Sequence, residues 1–363
     1  MSQTRQTQVN RFRRDAWLEI NLDHLEFNLK KIHSEFNKPL LPVVKADAYG
    51  HGASVIAKTL DAYNFVYGYG VANIDEALNL RQTSKNRIIV LGICPDWAIK
   101  QALEQDIELT AASEDFIINL NELAKSLETI AKIHIKLDTG MNRIGFKLSK
   151  AEFDALIART EKLSNIKIET IFTHFADGSD IDFCQKQYKK FQELSAGLPY
   201  LKHPVSSSSA RSIPEMEFDI MRCGIELYGL ENPELKPLLS LYARISFIKE
   251  IESGDSVSYK RTWKANENTR IATLPLGYAD GIPRILSNKI QAQCKGHLIN
   301  QVGSITMDQI MFDIEDHADI KVGDLVELLG PNLPLQNWAE KAHTISYEIA
   351  TDLNLRLPKS YTR

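Results

Sequence analysis

Apolar positions recur at three- and four-residue steps through residues 21–36, where Leu22, Leu25, Leu29 and Ile32 share one face, and this spacing predicts a helix. Beyond it the period shortens. Short β-branched runs alternate with amphipathic stretches, which predicts strands over 41–45, 65–71, 87–93, 107–112, 132–138, 168–174, 203–206 and 219–223. The spacers read as helices, among them 53–60 and 150–163, the second with Ser149 as N-cap and Leu148 as a staple residue. Strand–helix alternation calls for parallel pairing with right-handed crossovers, and eight strands within about 220 residues suggest a closed (β/α)8 TIM-like barrel. An open doubly wound sheet is the structural alternative.

The pattern changes after Lys236. From Leu239 to Leu329 the apolar runs are short and broken by turn signals such as Glu252-Ser253-Gly254-Asp255 and Val322-Gly323-Asp324, which predicts a mainly antiparallel β domain. Residues 337–353 return to helical spacing. The expected division is therefore a barrel over 1–238 followed by a C-terminal β domain over 239–363.

Composition narrows the function. The 363 residues are 44% hydrophobic and 25% charged, which excludes disorder as the main state. A net charge of −4 provides no positive field for nucleic acid or an anionic membrane, so the expected partner is a small molecule. Cys94, Cys184, Cys223 and Cys294 follow neither a zinc nor a disulfide spacing, and the 9 histidines show no paired short spacing, so no metal site is expected. Arg5, Arg11, Arg13 and Arg14 precede no apolar stretch, and the longest apolar run, 88–94, is too short to span a membrane. These features read as a cytoplasmic chain with a frayed first dozen residues.

Barrel enzymes carry their reacting groups at the C-terminal ends of the strands. Lys45 ends the first expected strand, Lys136 and Asp138 the fifth, His174 the sixth, Ser206 and Ser207 the seventh, and Arg222 the eighth. One lysine there would be an ordinary solvated strand end. Several ionisable and hydroxyl groups on one rim mark a site. Burial and nearby cations would raise the neutral-amine population of Lys45, the form that attacks a carbonyl. The flanking Asp47-Ala48-Tyr49-Gly50-His51-Gly52 adds a hydroxyl and two glycines that let backbone approach a ligand. The serine tract 206–209 and the Gly224 and Ile225 amides lie where barrels bind phosphate. A carbonyl-reactive lysine beside phosphate loops fits pyridoxal phosphate.

The same residues carry a resemblance. Val43-Val44-Lys45-Ala46-Asp47-Ala48-Tyr49-Gly50-His51-Gly52 is similar to the cofactor-lysine signature of the alanine racemases, a family built as a barrel followed by a β domain. Further matches follow in order: Lys136-Leu137-Asp138-Thr139-Gly140-Met141-Asn142-Arg143-Ile144-Gly145, Thr173-His174-Phe175-Ala176, and Arg222-Cys223-Gly224-Ile225 with Tyr228-Gly229. Beyond the barrel they are Val257-Ser258-Tyr259, Gly277-Tyr278-Ala279-Asp280-Gly281, Ser304-Ile305-Thr306-Met307-Asp308-Gln309 and Thr344-Ile345-Ser346-Tyr347.

The resemblance implies a pyridoxal-phosphate-dependent racemase interconverting L-alanine and D-alanine, a homodimer with composite active sites that supplies D-alanine for peptidoglycan. Lys45 would bind the cofactor and act as base on one face of the substrate Cα, with Tyr259 on the other. Two bases are needed because proton return on the same face regenerates the starting enantiomer. Free tyrosine titrates at about 10, so Tyr259 would need a partner that favours its ionised form, with His174 and Arg222 as candidates. Arg222 would face the pyridine nitrogen as a donor and keep it unprotonated, which favours reprotonation at Cα over transamination. Ser207, Tyr49, Tyr347 and the Gly224 and Ile225 amides would hold the phosphate. Arg143 and the Met307 amide would receive the substrate carboxylate, with Tyr278 near the entrance. Lys136 matches a lysine that CO₂ carbamylates in many members, giving an anion that orients Arg143. One departure is Ser206-Ser207 where the family commonly has Asn-Ser. Three other readings remain: a decarboxylase of the same architecture, which Arg222 disfavours, a non-catalytic cofactor carrier, which would not need Tyr259, and a metal hydrolase, which the scattered histidines disfavour.

Overall fold

The computed structural model describes residues 14–353 and 356–363. Arg5, Arg11 and Arg13, with the expected frayed tail, lie outside the described residues. Two compact units divide the chain. One takes 29–48 and 53–227, and the other the described residues up to Asn28, then 49–52 and 228–363. No single cut at 238 separates them, because an N-terminal strand belongs with the second unit.

In the first unit the strands are β2 (Leu40–Pro42), β3 (Tyr69–Val71), β4 (Ile88–Val90), β5 (Glu108–Ala111), β6 (Ala131–Lys136), β7 (Ile166–Phe172), β8 (Leu201–Lys202) and β9 (Met221–Cys223). Each falls within or beside a run expected from the sequence. β3 through β8 pair in order and in parallel, and β2 pairs in parallel with β9. Bridges from Leu40 to Val66 and from Val43 to Gly70 join β2 to the β3 segment, and Ser206 bridges to Arg222. The ring is closed, as in a barrel and unlike an open doubly wound sheet. Its strands are short and mostly buried, with apolar residues interrupted by buried polar ones such as Glu108, His134, Thr170 and Arg222, while β8 and the start of β7 are partly exposed. β8 stops earlier than the expected 203–206 because Pro204 has no amide to donate to the ladder.

Helices α1 (Leu22–Phe36), α2 (Ala53–Leu60), α3 (Ile74–Arg81), α4 (Ile99–Glu104), α5 (Glu114–Ser126), α6 (Lys150–Thr160), α7 (Ile181–Ser195) and α8 (Ser207–Ser212) alternate with the strands. α6 starts as its sequence predicts, with Ser149 and Glu152 forming a reciprocal capping box.

The second unit is built on one nine-stranded sheet, mainly antiparallel. Its strands are β1 (Ala16–Asn21), β10 (Leu239–Arg244), β11 (Phe247–Ile251), β12 (Thr269–Leu274), β13 (Gln291–Cys294), β14 (His297–Gln301), β15 (Ile310–Asp313), β16 (Leu325–Leu329) and β17 (Lys359–Thr362). β1 lies between β10, its antiparallel neighbour, and β17, its parallel one, with Trp17, Leu18 and Ile20 buried. α9 (Leu335–Ala342) and α10 (Ser346–Asp352) account for the late helical spacing. All four cysteines are buried and unbridged. Among the described residues, no helix is long and apolar enough to cross a membrane.

Candidate active site

The barrel mouth begins with a strained turn. After Lys45 the backbone runs left-handed through four non-glycine residues, Ala46, Asp47, Ala48 and Tyr49, with φ between 51° and 57°. L-residues resist this conformation by roughly 1–2 kcal/mol each, so the surroundings must impose it. Glu76 on α3 does part of this, accepting from the Ala46 amide at 2.9 Å and the Ala72 amide at 2.7 Å. Asp47 accepts from the Ala53 amide at 2.8 Å, tying the turn to the start of α2. Lys45 thus leaves a rigid frame.

Cations crowd the mouth. Lys45 stays solvent-accessible by area, yet desolvation of its amine and the Arg143 charge lower its pKa, against an opposing pull from Glu76. Lys136 at the end of β6 is buried over the Phe172 ring at 4.4 Å, and desolvation with Arg222 and Arg143 brings it to about 7. His174 falls to about 3 through desolvation and the charges of Arg222, Lys136, Arg143 and Lys45, so it is neutral at pH 7. Arg222 on β9 is buried, which lowers it to about 9 and leaves it a cation at neutral pH.

Arg222 is held by backbone. Its Nη2 donates to the Thr173 carbonyl at 2.9 Å and the Pro204 carbonyl at 3.1 Å, and Nη1 donates to the His203 carbonyl. His174 Nδ1 stands 3.5 Å from Nη2. Its Nε–H makes no hydrogen bond among the described residues. Asp138 has a local role. It accepts from the Gly140 and Asn142 amides, both at 3.0 Å, and shapes the loop that carries Arg143. At Gly145, φ is +126° and a Cβ would meet the Asp138 amide at 2.8 Å, so only glycine lets this loop close. Arg143 is exposed and makes no ion pair among the described residues.

The serine tract divides its labour. Ser206 is the N-cap of α8, and Ser206, Ser208 and Ser209 bond to one another. Ser207 is buried, and its hydroxyl has no protein partner among the described residues. Gly224 and Ile225 follow β9, and Ile225 opens a 3₁₀ turn whose first amides have no partner within the turn.

The second unit holds the other expected residues. Tyr259 is 69% exposed on a turn where Ser258, Lys260 and Arg261 all have positive φ. Two reciprocal bonds fix that turn: Ser258 Oγ donates to the Ser304 carbonyl at 2.7 Å, and Ser304 Oγ to the Tyr259 carbonyl at 2.8 Å. The Tyr278 amide donates to the Thr306 carbonyl and the Ala279 amide to that of Met307, an approach that Gly277 permits, since a Cβ there would meet Thr306 O at 2.1 Å. Tyr259 and Tyr278 line one open cavity of about 380 Å³ with Arg284 and Ile305. Met307 is exposed beside this loop. Tyr49 and Tyr347 pack together with ring centroids 6.0 Å apart, and Tyr228 lies 5.1 Å from Tyr49.

Several residues escaped the sequence reading. Glu76 reads only as the third helical residue after the Asn73 N-cap, yet it clamps the Lys45 turn. Asp280, fully buried and gripped by Arg14 through two bonds of 2.6 and 2.7 Å, accepts from the Gly277 amide and anchors the Tyr278 turn. The placement of Asp280 inside a glycine-bounded motif was the available signal.

Residues 20–232 match the family described as alanine racemase, N-terminal domain, and residues 238–361 match the alanine racemase, C-terminal domain. The alanine racemase of Clostridium kluyveri is 39% identical, over 96% of this chain and 95% of that protein. Among solved structures, the alanine racemase of Clostridium difficile 630 superposes with a TM-score of 0.91 at 34% identity, covering 97% of this chain and 96% of its own. A histidine racemase from Leuconostoc mesenteroides superposes with a TM-score of 0.89 at 29% identity, covering 97% and 99%. The architecture is thus shared by racemases named for different amino acids.

Proposed function

The chain belongs to the alanine racemase family and its activity is alanine racemisation; from that premise we propose how its residues perform it. The cofactor is pyridoxal phosphate. The residues present fit that group: an amine of lowered pKa on a strained turn, a buried guanidinium, a buried hydroxyl without a protein partner among the described residues, and the amides that open the turn after β9. When bound, it supplies a ring that withdraws electrons from the substrate Cα and so acidifies its proton.

Lys45 would hold the cofactor, and its amine would take or return the substrate Cα proton on one face. Its lowered pKa favours the neutral amine that both tasks need. Tyr259 holds the proton on the opposite face. Arg222 would face the pyridine nitrogen of the bound cofactor; as a guanidinium it only donates, so it would leave that nitrogen unprotonated and favour return of the Cα proton over side reactions. The same logic sets aside the decarboxylase reading. His174 is neutral beside Arg222 and adds no charge to the site. Ser207, the Gly224 and Ile225 amides, Tyr49 and Tyr347 bind the phosphate, and Arg143 with the Met307 amide binds the substrate carboxylate. With its amine near half-neutral at pH 7, Lys136 takes up CO₂, and the resulting carbamate anion orients Arg143.

The observation that carries the composite site is the exposure of Tyr259, a side chain that must work out of water. We read the chain as a homodimer in which this face covers the partner's barrel mouth. The cytoplasmic setting follows from the sequence pattern, and the supply of D-alanine to the cell wall from the resemblance. The test is incubation with L-alanine and pyridoxal phosphate in D₂O. Loss of optical rotation with deuterium at Cα is expected, and borohydride should fix the cofactor on Lys45. Release of CO₂, or a label on Lys136, would overturn the assignment.

A further inference from the structure

A chain of hydrogen bonds crosses the barrel interior beneath Arg222. Nη1 of Arg222 lies 3.0 Å from Nδ1 of His203, and Nε2 of His203 lies 2.7 Å from the Thr170 hydroxyl. The same hydroxyl lies 2.7 Å from Nδ1 of His134, whose Nε2 is 2.9 Å from Oε2 of Glu108. All five side chains are buried. At the opposite end of the strands Glu108 pairs with Arg87 at 3.2 Å and stands 3.9 Å from Lys132.

Chemistry forces the direction of this chain. A guanidinium cannot accept, so Nδ1 of His203 must, and the His203 proton sits on Nε2. That N–H donates to the Thr170 oxygen, which frees the hydroxyl proton for Nδ1 of His134. His134 then carries its proton on Nε2 and donates it to the Glu108 carboxylate. Every group in the chain is used in a compatible role with both imidazoles neutral. Burial and the neighbouring Arg222 charge hold the His203 pKa far below its ordinary value, in keeping with this state. Reversing any one link sets two donors or two acceptors against each other, or requires a change of protonation, in a dry interior where an unpaired polar group bears its full desolvation cost.

We propose that Thr170, His134 and Glu108 are positioning residues for racemisation: they lock His203 in its Nε2–H tautomer, so that it accepts from Arg222 and fixes the direction of the guanidinium. This rests on the reading that Arg222 faces the cofactor ring. The three carbonyls hold the guanidinium at its Nη atoms. The contact at His203 Nδ1 depends on a proton whose position is set by Thr170 and, through it, by His134 and Glu108. With the other tautomer, N–H would face N–H, and either the imidazole or the guanidinium would have to turn.

The test begins with ¹⁵N NMR of the histidine-labelled protein without substrate. His203 and His134 should both appear as neutral Nε2–H tautomers at pH 7. An Nδ1–H tautomer or an imidazolium at His203 overturns the proposal without reference to activity. Thr170→Val keeps the shape but breaks the chain; it should mix the His203 tautomers and lower kcat about tenfold with KM for alanine within about twofold. Thr170→Ser keeps the hydroxyl and should restore both readouts. Should the valine variant fail to fold, Thr170→Ala carries the same expectation. A hydroxyl-free variant that retains the wild-type tautomer, or a kcat within about twofold of wild type, rejects the positioning role while leaving the role of Arg222 to its own variants.

Discussion

The barrel mouth and the exposed face of the β unit are both lined by residues of the alanine racemase motifs, yet they are built in opposite ways. At the mouth, charge is concentrated and buried: burial pushes Lys136, His174 and Arg222 toward their neutral forms, and the Arg222 charge adds to this at Lys136 and His174. The functional side chains there are held from behind by carbonyls, Glu76 and the Asp138 loop. On the β face the backbone is rigid while the side chains are not enclosed: Tyr259, Tyr278 and Met307 are 69%, 41% and 52% exposed. One chain therefore completes the electrostatics of the mouth but only the framework of the face. Under the proposed dimer, the partner's barrel mouth would supply the environment of Tyr259.

The sharpest way to break this contrast is to ask whether the two regions must come from different chains. Tyr259→Phe should lower racemisation in both directions by about 10³-fold with the cofactor still bound, because each direction needs a proton carrier on both faces. Lys45→Ala should be at least as inactive. Refolding the two variants together gives about half hybrid dimers, each with one doubly damaged and one intact site, so activity should rise to about a quarter of wild type. If both groups came from one chain, each site would keep a lesion. No recovery despite demonstrated chain exchange would reject the composite site.

Arg222→Glu attacks the electrostatics of the mouth itself. A carboxylate there would share a proton with the ring nitrogen and deepen the electron sink, so racemisation should slow about 100-fold while transamination by-product accumulates. Chiral chromatography with keto-acid analysis reads both. An unchanged product ratio would make Arg222 a structural cation.

These regions also differ in how much of them the sequence disclosed. The eight barrel strands were legible because short β-branched runs alternate with amphipathic helical stretches, and the rim residues followed from where those runs end. β1 was not, since six residues beside a strongly periodic helix carry too little pattern to reveal a partner more than 200 positions away. Its pairing with β10 is what places the N-terminal segment in the second unit. Motif resemblance supplied Tyr259, Tyr278 and Met307, which no local periodicity marks. Glu76, Asp280 and the chain from His203 to Glu108 stayed hidden because their importance lies in contacts made across the fold. Such contacts leave no spacing in the sequence.

Lys136 offers a smaller test of the mouth. Its amine gains a neutral population as pH rises through about 7, far below an ordinary lysine, and only the neutral amine reacts with CO₂. Protein stripped of CO₂ should lose activity by about tenfold and regain it with bicarbonate, faster at pH 8 than at pH 6. Recovery that is independent of bicarbonate, or faster at the lower pH, would remove carbamylation from the mechanism.

The serine tract gives the finest comparison, between neighbours in one turn. Ser206 is spent on structure: its side chain accepts from the Ser209 amide as the cap of α8. Ser207 is buried with its hydroxyl unclaimed by protein among the described residues, so it is the member of the pair available to a phosphate. Ser207→Ala should weaken cofactor binding by about 1 kcal/mol, roughly fivefold, a modest loss because the Gly224 and Ile225 amides remain. Ser206→Ala should leave cofactor affinity close to wild type and instead lower unfolding stability by about 1 kcal/mol, the usual cost of a lost helix cap. Cofactor titration beside thermal unfolding of each variant separates the two effects. Had Ser206 replaced a phosphate-binding side chain in kind, its alanine variant would lose affinity as Ser207→Ala does, and the division of labour within the tract would fail.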